Sequence, residues 1–203
     1  MNKILPVRLS ESRLPTSYGE FTMIAFDSGK PEMPHIVLIN LSDPKPVAVD
    51  IRIHSECMTG DVFSSSRCDC GEQLHLSLKH LAENGGALIY LRQEGRGIGL
   101  VNKLKAYNLQ DAGMDTIVAN VALGFHADER DYSDAVAILH DLGIAKVRVL
   151  TNNPDKLHAL SEAGIEILAR LPLEVQASEE NRNYLKTKKE SFGHLFGMEA
   201  GFP

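Results

Sequence analysis

The stretch Lys146-Val147-Arg148-Val149-Leu150-Thr151-Asn152-Asn153-Pro154-Asp155-Lys156, continued to Ala169, decides the fold class. Lys146 to Leu150 reads as a strand, and Ile165 to Ala169 reads as another. Between them, Pro154 to Ala163 reads as a helix, with proline at the first turn, where the missing N–H would be unpaired anyway. Strand, helix and strand in so short a span form the unit of a parallel sheet, because parallel neighbours need a crossover connection. Just upstream, Ala135, Ile138, Leu139 and Leu142 fall at helical spacing, and Gly143 stops that helix. Further back, Leu74, Leu78 and Leu81 mark a helix ended by Gly85-Gly86, Ala87 to Leu91 is strand-like, and Leu100 to Ala112 is helical with Gly113 just past its end. Phe21 to Phe26 and His35 to Leu41 read as strands across a turn-rich stretch holding Gly29, Pro31 and Pro34. The expectation is a single α/β domain over residues 1–203, with a mixed sheet flanked by helices and room for antiparallel pairing among the first strands.

The clearest strand is Pro46 to His54. Val47, Val49, Ile51 and Ile53 alternate with Ala48, Asp50, Arg52 and His54, so the second set shares the opposite face. If the apolar set meets the core, Arg52 and His54 point together at something polar. A solvated face has the same pattern. The functional reading gains weight because this strand runs directly into Cys57.

A chain of 203 residues can bury a full core without disulfides. Its net charge of −6 argues against binding nucleic-acid polymers, which calls for a basic excess, but leaves room for a nucleotide held by a local basic cluster. No apolar run approaches the roughly 18 residues that span a membrane. The start, Met1-Asn2-Lys3-Ile4-Leu5-Pro6, lacks the apolar core of a signal peptide, so the expected location is the cytoplasm. Thiols stay reduced there, and three cysteines cannot all pair within the chain, which makes metal binding the leading alternative to plain buried thiols.

Those three, Cys57, Cys68 and Cys70, fall within fourteen residues. A structural zinc site normally uses four protein ligands, whereas three thiolates leave a position open for water, the arrangement of a catalytic site. Completion by His54 or His75 is the alternative. Three thiolates on Zn²⁺ carry a net charge of −1, so the metal acidifies its water less than a three-histidine site does and benefits from a nearby base or cation. Arg52 and Arg67 are the sequence neighbours for that task.

Three loops suit phosphate. Arg92-Gln93-Glu94-Gly95-Arg96-Gly97-Ile98-Gly99 lies between a strand and a helix; its glycines permit close backbone approach and its arginines offer charge-assisted hydrogen bonds. It is neither a Walker A sequence nor the dinucleotide fingerprint. Thr151-Asn152-Asn153-Pro154 with Lys156 repeats the logic at the next helix, where ordinary capping is the competing reading. Asp128-Glu129-Arg130-Asp131 has the look of a solvated helix cap; the alternative reading has Asp128 and Arg130, two apart in an extended loop, face one ligand as base and phosphate clamp.

Together these segments resemble GTP cyclohydrolase II. The resemblance rests on Arg52-Ile53-His54-Ser55-Glu56-Cys57, Thr59-Gly60-Asp61, Arg67-Cys68-Asp69-Cys70-Gly71 and Arg92 to Leu100. It continues through Asn102-Lys103, Tyr107, Leu123-Gly124-Phe125, Ala127-Asp128, Arg130-Asp131-Tyr132 and Thr151 to Pro154 with Lys156. Leu14-Pro15-Thr16 and the tail Tyr184-Leu185, Thr187-Lys188, Gly193-His194 also fit. The resemblance implies opening of the imidazole ring of GTP, release of C8 as formate and of pyrophosphate, and formation of a diaminopyrimidinone ribosyl phosphate, the first committed intermediate of riboflavin synthesis. It implies that Cys57, Cys68 and Cys70 ligate zinc. Arg52, Ile53, His54, Ser55, Glu56, Gln73, Glu94, Gly95, Arg96, Thr116, Thr151 and Lys156 would bind GTP, with Mg²⁺ accompanying the triphosphate. Asp128 would be the general base, Arg130 the residue that takes up the nucleotidyl group, and Tyr107 an aid to ring opening. A homodimer follows from the same resemblance, and the pattern leaves no space for the dihydroxybutanone phosphate-forming domain of bifunctional relatives. On physical grounds Arg130 is a clamp on the α-phosphate, since a guanidinium stays protonated and is a poor nucleophile.

Two other readings compete. His54-Ser55-Glu56 satisfies the H-x-E half of the zinc deaminase signature, but the P-C-x-x-C half is missing. A zinc-stabilised nucleotide-binding module without activity would unfold on zinc removal and leave GTP intact.

Overall fold

The computed structural model describes residues 6–30, 33–42, 46–175, 181, 187–190 and 192–195. Met1 to Leu5, Pro31, Tyr184 and Leu185, used in the sequence reading, lie outside the described residues. The elements run β1 (Arg8–Pro15), β2 (Glu20–Phe26), β3 (His35–Asn40), β4 (Val49–Ser55), α1 (Met58–Asp61), α2 (Cys70–Asn84) and β5 (Gly86–Leu91). A 3-10 turn at Glu94–Gly97 follows, then α3 (Leu100–Asp111), α4 (Thr116–Ala122), α5 (Ser133–Asp141), β6 (Lys146–Leu150), α6 (Pro154–Glu162) and β7 (Glu166–Leu171).

All seven strands join one mixed sheet in the order β1-β2-β3-β5-β4-β6-β7. β1, β2, β3 and β5 pair antiparallel in succession, while β5, β4, β6 and β7 run parallel. The strand–helix–strand unit of the C-terminal half is β6-α6-β7, as its spacing predicts. Helices cover both faces. On one, Val49, Ile51, Ile53, Val147 and Val149 pack with Ile138 and Leu139 of α5 and Leu160 of α6. On the other, Phe21, Leu88 and Leu150 pack with Leu81 of α2, and Leu74 and Leu78 join at the edge.

β4 is an interior strand between β5 and β6, buried along both faces, and this settles the reading of its polar set. Asp50, Arg52 and His54 are buried, not solvated, and turn toward the α2 side. There Asp50 accepts from His80 of α2 at 2.7 Å, and Arg52 donates to Gln73 of α2 at 2.6 Å. The strand starts at Val49 instead of Pro46, and Val47 is 84% exposed, because no neighbouring strand reaches that far. β1 escaped the sequence reading because Arg8-Leu9-Ser10-Glu11-Ser12-Arg13 has no apolar face; it is an edge strand with nearly every residue exposed, held by its pairing with β2. α1 and α4 are too short for periodicity to show.

Parallel order has a functional consequence. The carboxyl ends of β4, β5 and β6 open at one edge, where α/β sheets bind ligands. Three of the motifs singled out above begin at those ends, Ser55-Glu56-Cys57, Arg92-Gln93-Glu94 and Thr151-Asn152-Asn153, while Arg67-Cys68-Asp69 precedes α2 and Asp128 to Asp131 lies between α4 and α5.

Candidate active site

The thiol groups of Cys57, Cys68 and Cys70 converge, with all three Sγ atoms within 4.8 Å of one another. Cys57 Sγ and Cys68 Sγ are 3.7 Å apart. Two thiolates on a tetrahedral zinc at ~2.3 Å would sit about 3.8 Å apart, so the donor set and its spacing fit that metal. Neither histidine alternative joins the group among the described residues: His54 Nε2 faces Asp61 at 3.0 Å, and His75 lies exposed on α2. The deaminase-like reading of His54 loses its metal ligand by the same fact. Gly60 is required beneath the cluster, because a Cβ there would stand 2.9 Å from Cys68 Sγ and 3.2 Å from Cys57 Sγ.

Three thiols this close cannot all ionise unaided. Cys57 is held far below its ordinary value, first by hydrogen bonds from Cys68 and Cys70 and further by Lys103. Its two partners are pushed up, Cys68 to about 11, chiefly through their hydrogen bonds with Cys57. A cation between them removes that conflict. Part of the compensation is already built in. Lys103 of α3 donates to Cys57 Sγ at 3.1 Å and to Glu94 Oε1 at 2.8 Å, and is itself buried. Sequence reasoning looked to Arg52 and Arg67 for this charge. Arg67 instead pairs with Asp111 and lies over Tyr107, its Cζ 4.8 Å from the ring centroid.

Beneath Cys57 lies a buried polar triad. Asp61 accepts from the Cys57 backbone N–H at 2.9 Å and from the Tyr90 hydroxyl at 2.8 Å, and meets His54 Nε2 at 3.0 Å. His54 stacks on Tyr90 with ring centroids 5.4 Å apart. Burial holds the His54 imidazole below its ordinary value despite Asp61. Asp61 entered the sequence reading only as part of the Thr59-Gly60-Asp61 motif, with no role assigned, and Tyr90 did not enter it; a tyrosine in a strand looks like core.

A cleft of about 790 Å³ opens over the cysteines, with Glu56, Glu94, Gly95, Tyr107 and Thr116 on its walls. The Tyr107 hydroxyl lies 3.5 Å from Thr59 Oγ1, which in turn is 3.6 Å from Cys57 Sγ. Ser55 Oγ, Glu56 Oε2 and Gln93 Oε1 are buried without a partner among the described residues, the condition of groups that a ligand satisfies. Burial raises the Glu56 carboxyl against the opposing charge of Arg92, which donates to Oε1 at 2.9 Å. Glu94 is different: it accepts from Met58 N at 2.6 Å, Gly95 N at 2.7 Å and Lys103, so its carboxylate braces the turn.

A second, smaller pocket of about 60 Å³ adjoins the cleft and shares Ser55, Cys70, Arg96 and Arg130 with it. Arg52, Lys156 and Lys188 complete its basic lining, with Thr151 beside them. Arg52 is fixed by Leu150 O at 2.9 Å and by Gln73, which donates onward to Asp69 at 2.6 Å. Lys156 donates to Ile53 O at 2.8 Å, so Ile53 contributes its carbonyl while its side chain is core. Burial, then the repulsion of Arg52, Arg130 and Lys188, pushes Lys156 well below its ordinary value, and burial lowers Arg52 to about 10. This concentration of cations suits a polyanion.

Asp128 and Arg130 do face each other. Arg130 Nε donates to Asp128 Oδ1 at 2.9 Å, its backbone N–H to the same oxygen at 3.0 Å, and a terminal nitrogen to Oδ2. Burial alone would raise the Asp128 carboxyl, but these bonds outweigh it and hold it below its ordinary value. Gly97, at φ +94°, lets this loop close on the 3-10 turn; a Cβ there would stand 2.9 Å from that of Glu129.

An open, partly parallel sheet carrying a thiolate cluster beside a basic pocket at its strand ends defines a class: an α/β protein able to hold a metal next to an anionic ligand. The chain belongs to the GTP cyclohydrolase II family, whose model matches residues 7–172. It is 49% identical over 197 residues to the riboflavin biosynthesis protein RibBA of Chlorobium phaeovibrioides, covering 96% of this chain and 48% of that protein. To RibBA of Bacillus cytotoxicus it is 50% identical over 191 residues, covering 93% and 48%. The chain therefore spans about half the length of the curated relatives it matches. A solved structure of RibBX, a two-domain 3,4-dihydroxy-2-butanone 4-phosphate synthase from A. baumannii, overlays with a TM-score of 0.43 at 20% identity over 84% of this chain and 41% of that one, too loosely to support any argument. No helix among the described residues is long and apolar enough to cross a membrane.

Proposed function

We propose that this chain, as one catalytic domain, is a zinc-dependent hydrolase that converts GTP to 2,5-diamino-6-ribosylamino-4(3H)-pyrimidinone 5′-phosphate, formate and pyrophosphate. Family membership supports the reaction. The observation that carries it is adjacency: the thiolate cleft and the basic pocket share a wall, so a purine over the cysteines would lay its phosphates among Arg52, Arg96, Arg130 and Lys156. A zinc ion held by Cys57, Cys68 and Cys70 would supply an electrophilic centre that acidifies water near the purine. Lys103 neutralises part of the thiolate charge there. Tyr107, on the same wall, assists the later ring opening. Mg²⁺ accompanies the triphosphate, the enzyme works in the cytoplasm, and two copies associate.

Asp128 and Arg130 act as a unit. Moving a proton from a guanidinium (pKa above 12) to a carboxylate near 4 is uphill by at least roughly 11 kcal/mol. With Asp128 held ionised by the same contact, Arg130 serves as an oriented clamp on the α-phosphate and Asp128 as the group that orients it. Arg130→Lys separates this from covalent attack: pyrophosphate release that stays near normal without a trappable nucleotidyl adduct supports the clamp, and an adduct on the unaltered enzyme sinks it. For the reaction itself, the zinc-loaded chain is incubated with GTP and Mg²⁺, and formate and pyrophosphate are assayed together. Both products are expected; pyrophosphate alone would mean a different outcome at the ring, and neither product ends the proposal.

A further inference from the structure

The family match stops at residue 172, yet residues 187–190 and 192–195 return to the site from beyond it. Four contacts pin this segment. Lys188 Nζ pairs with Asp69, the residue between two of the thiol ligands. Arg96 Cζ lies 4.4 Å above the Phe192 ring centroid. The Leu195 N–H donates to Asn152 O at 2.8 Å, and Arg170 donates to Leu195 O at 3.5 Å, while the His194 N–H folds back onto Lys188 O within the segment at 3.1 Å. The segment thus touches the glycine-rich turn, the loop after β6 and the start of α2, the three pieces of chain that frame the small pocket.

We propose that residues 187–190 and 192–195 form a wall of the polyphosphate pocket and that Lys188 is a phosphate-binding residue, moving its ammonium from Asp69 to a phosphate oxygen when a nucleoside triphosphate binds. The geometry supports this in three ways. Lys188 is buried and lines the small pocket together with Phe192 and His194, while its neighbour Thr187 lines the large cleft, so the segment stands where the two spaces meet. Five cationic side chains line the pocket, Lys188 included, and among the described residues Asp69 meets Lys188 and Asp128 meets Arg130. A buried excess of positive charge is unfavourable until an anion enters, and a triphosphate or pyrophosphate has the charge to balance it. Asp69 also accepts from Gln73, which holds Arg52, so a ligand that draws Lys188 away leaves Asp69 one hydrogen-bonded partner and the Arg52 bridge intact.

The identity of the ligand rests on the GTP reading, but the pocket can be tested without it. The full, zinc-loaded chain is titrated calorimetrically with inorganic tripolyphosphate and with pyrophosphate, as wild type, Lys188→Met and Lys188→Arg, alongside zinc content and KM for GTP. Loss of one charge-assisted hydrogen bond should weaken tripolyphosphate binding and raise KM by roughly tenfold to a hundredfold in Lys188→Met. Lys188→Arg should recover most of this, and zinc content should not change. A Lys188→Met chain that binds tripolyphosphate like wild type overturns the proposal, as does a wild type that binds none. A wild type that binds tripolyphosphate but makes no formate would sink the GTP reading and leave this one standing.

Discussion

Lys103→Met tests whether the thiolate cluster depends on a built-in counter-charge. Lys103 Nζ lies 3.1 Å from Cys57 Sγ and 2.8 Å from Glu94 Oε1, in a site that excludes most water. At an effective dielectric constant of 20, each contact has a gross attraction of about 5–6 kcal/mol, largely offset by the desolvation of its partners. Removing only the ammonium leaves two buried negative groups facing each other. Glu94 keeps its bonds from Met58 N and Gly95 N, so the loss should fall at the lower end of the range for broken buried pairs, about 3 kcal/mol. In urea unfolding of the zinc-loaded protein, that corresponds to a midpoint drop on the order of 1 M. Zinc affinity, read by competition with a chromophoric chelator, should fall by roughly tenfold to a hundredfold, as for other groups bonded to a metal ligand. Glu94→Gln in the same chain removes one of the stranded charges, so the double variant should be less destabilised than the sum of the singles by about 1–3 kcal/mol. A Lys103→Met protein within 1 kcal/mol of wild type, additive with Glu94→Gln, would refute the reasoning.

Two further outcomes follow from the geometry. Gly60→Ala should lose zinc while keeping its secondary structure, because the new methyl would press on Cys57 and Cys68 while the two apolar cores lie elsewhere; wild-type zinc stoichiometry and affinity in that variant would contradict it. Docking of residues 187–195 should depend on pH through His194. Burial, with the charges of Lys188, Lys156, Arg130 and Arg96, holds its imidazole down to about 2, whereas a released imidazole titrates near ~6.5. Between those values the released segment binds a proton that the docked one does not, so docking is at full strength above pH ~6.5 and weakens as the pH falls. From pH 7.5 to 5.5 the docked-to-released ratio should drop about tenfold, visible as faster limited proteolysis in the segment; the same pH dependence in His194→Gln would rule His194 out as its source.

Local chemistry was legible because it is written in contiguous residues. Spacing of apolar side chains gave α2 and α5, terminal glycine and first-turn proline marked α3 and α6, and the gathering of every cysteine into fourteen residues pointed to a metal. The sequence also placed Arg52 and His54 on one face of β4. It could not say that the face was buried, because that depends on α2 packing across it and supplying Gln73 and His80. Nor did it show Asp61, Tyr90, Lys103 or Lys188 at work. Each is an ordinary residue in its own element and acquires a role only where distant segments meet: Tyr90 under Asp61, Lys103 beside Cys57, Lys188 against Asp69. Cysteine clustering, glycine turns and helix periods are short-range properties, and the sequence by itself determined them. Counter-charges and pocket walls arise from contacts between residues 29, 46 and 119 positions apart, and those only the tertiary structure decided, because burial turns such contacts into energies.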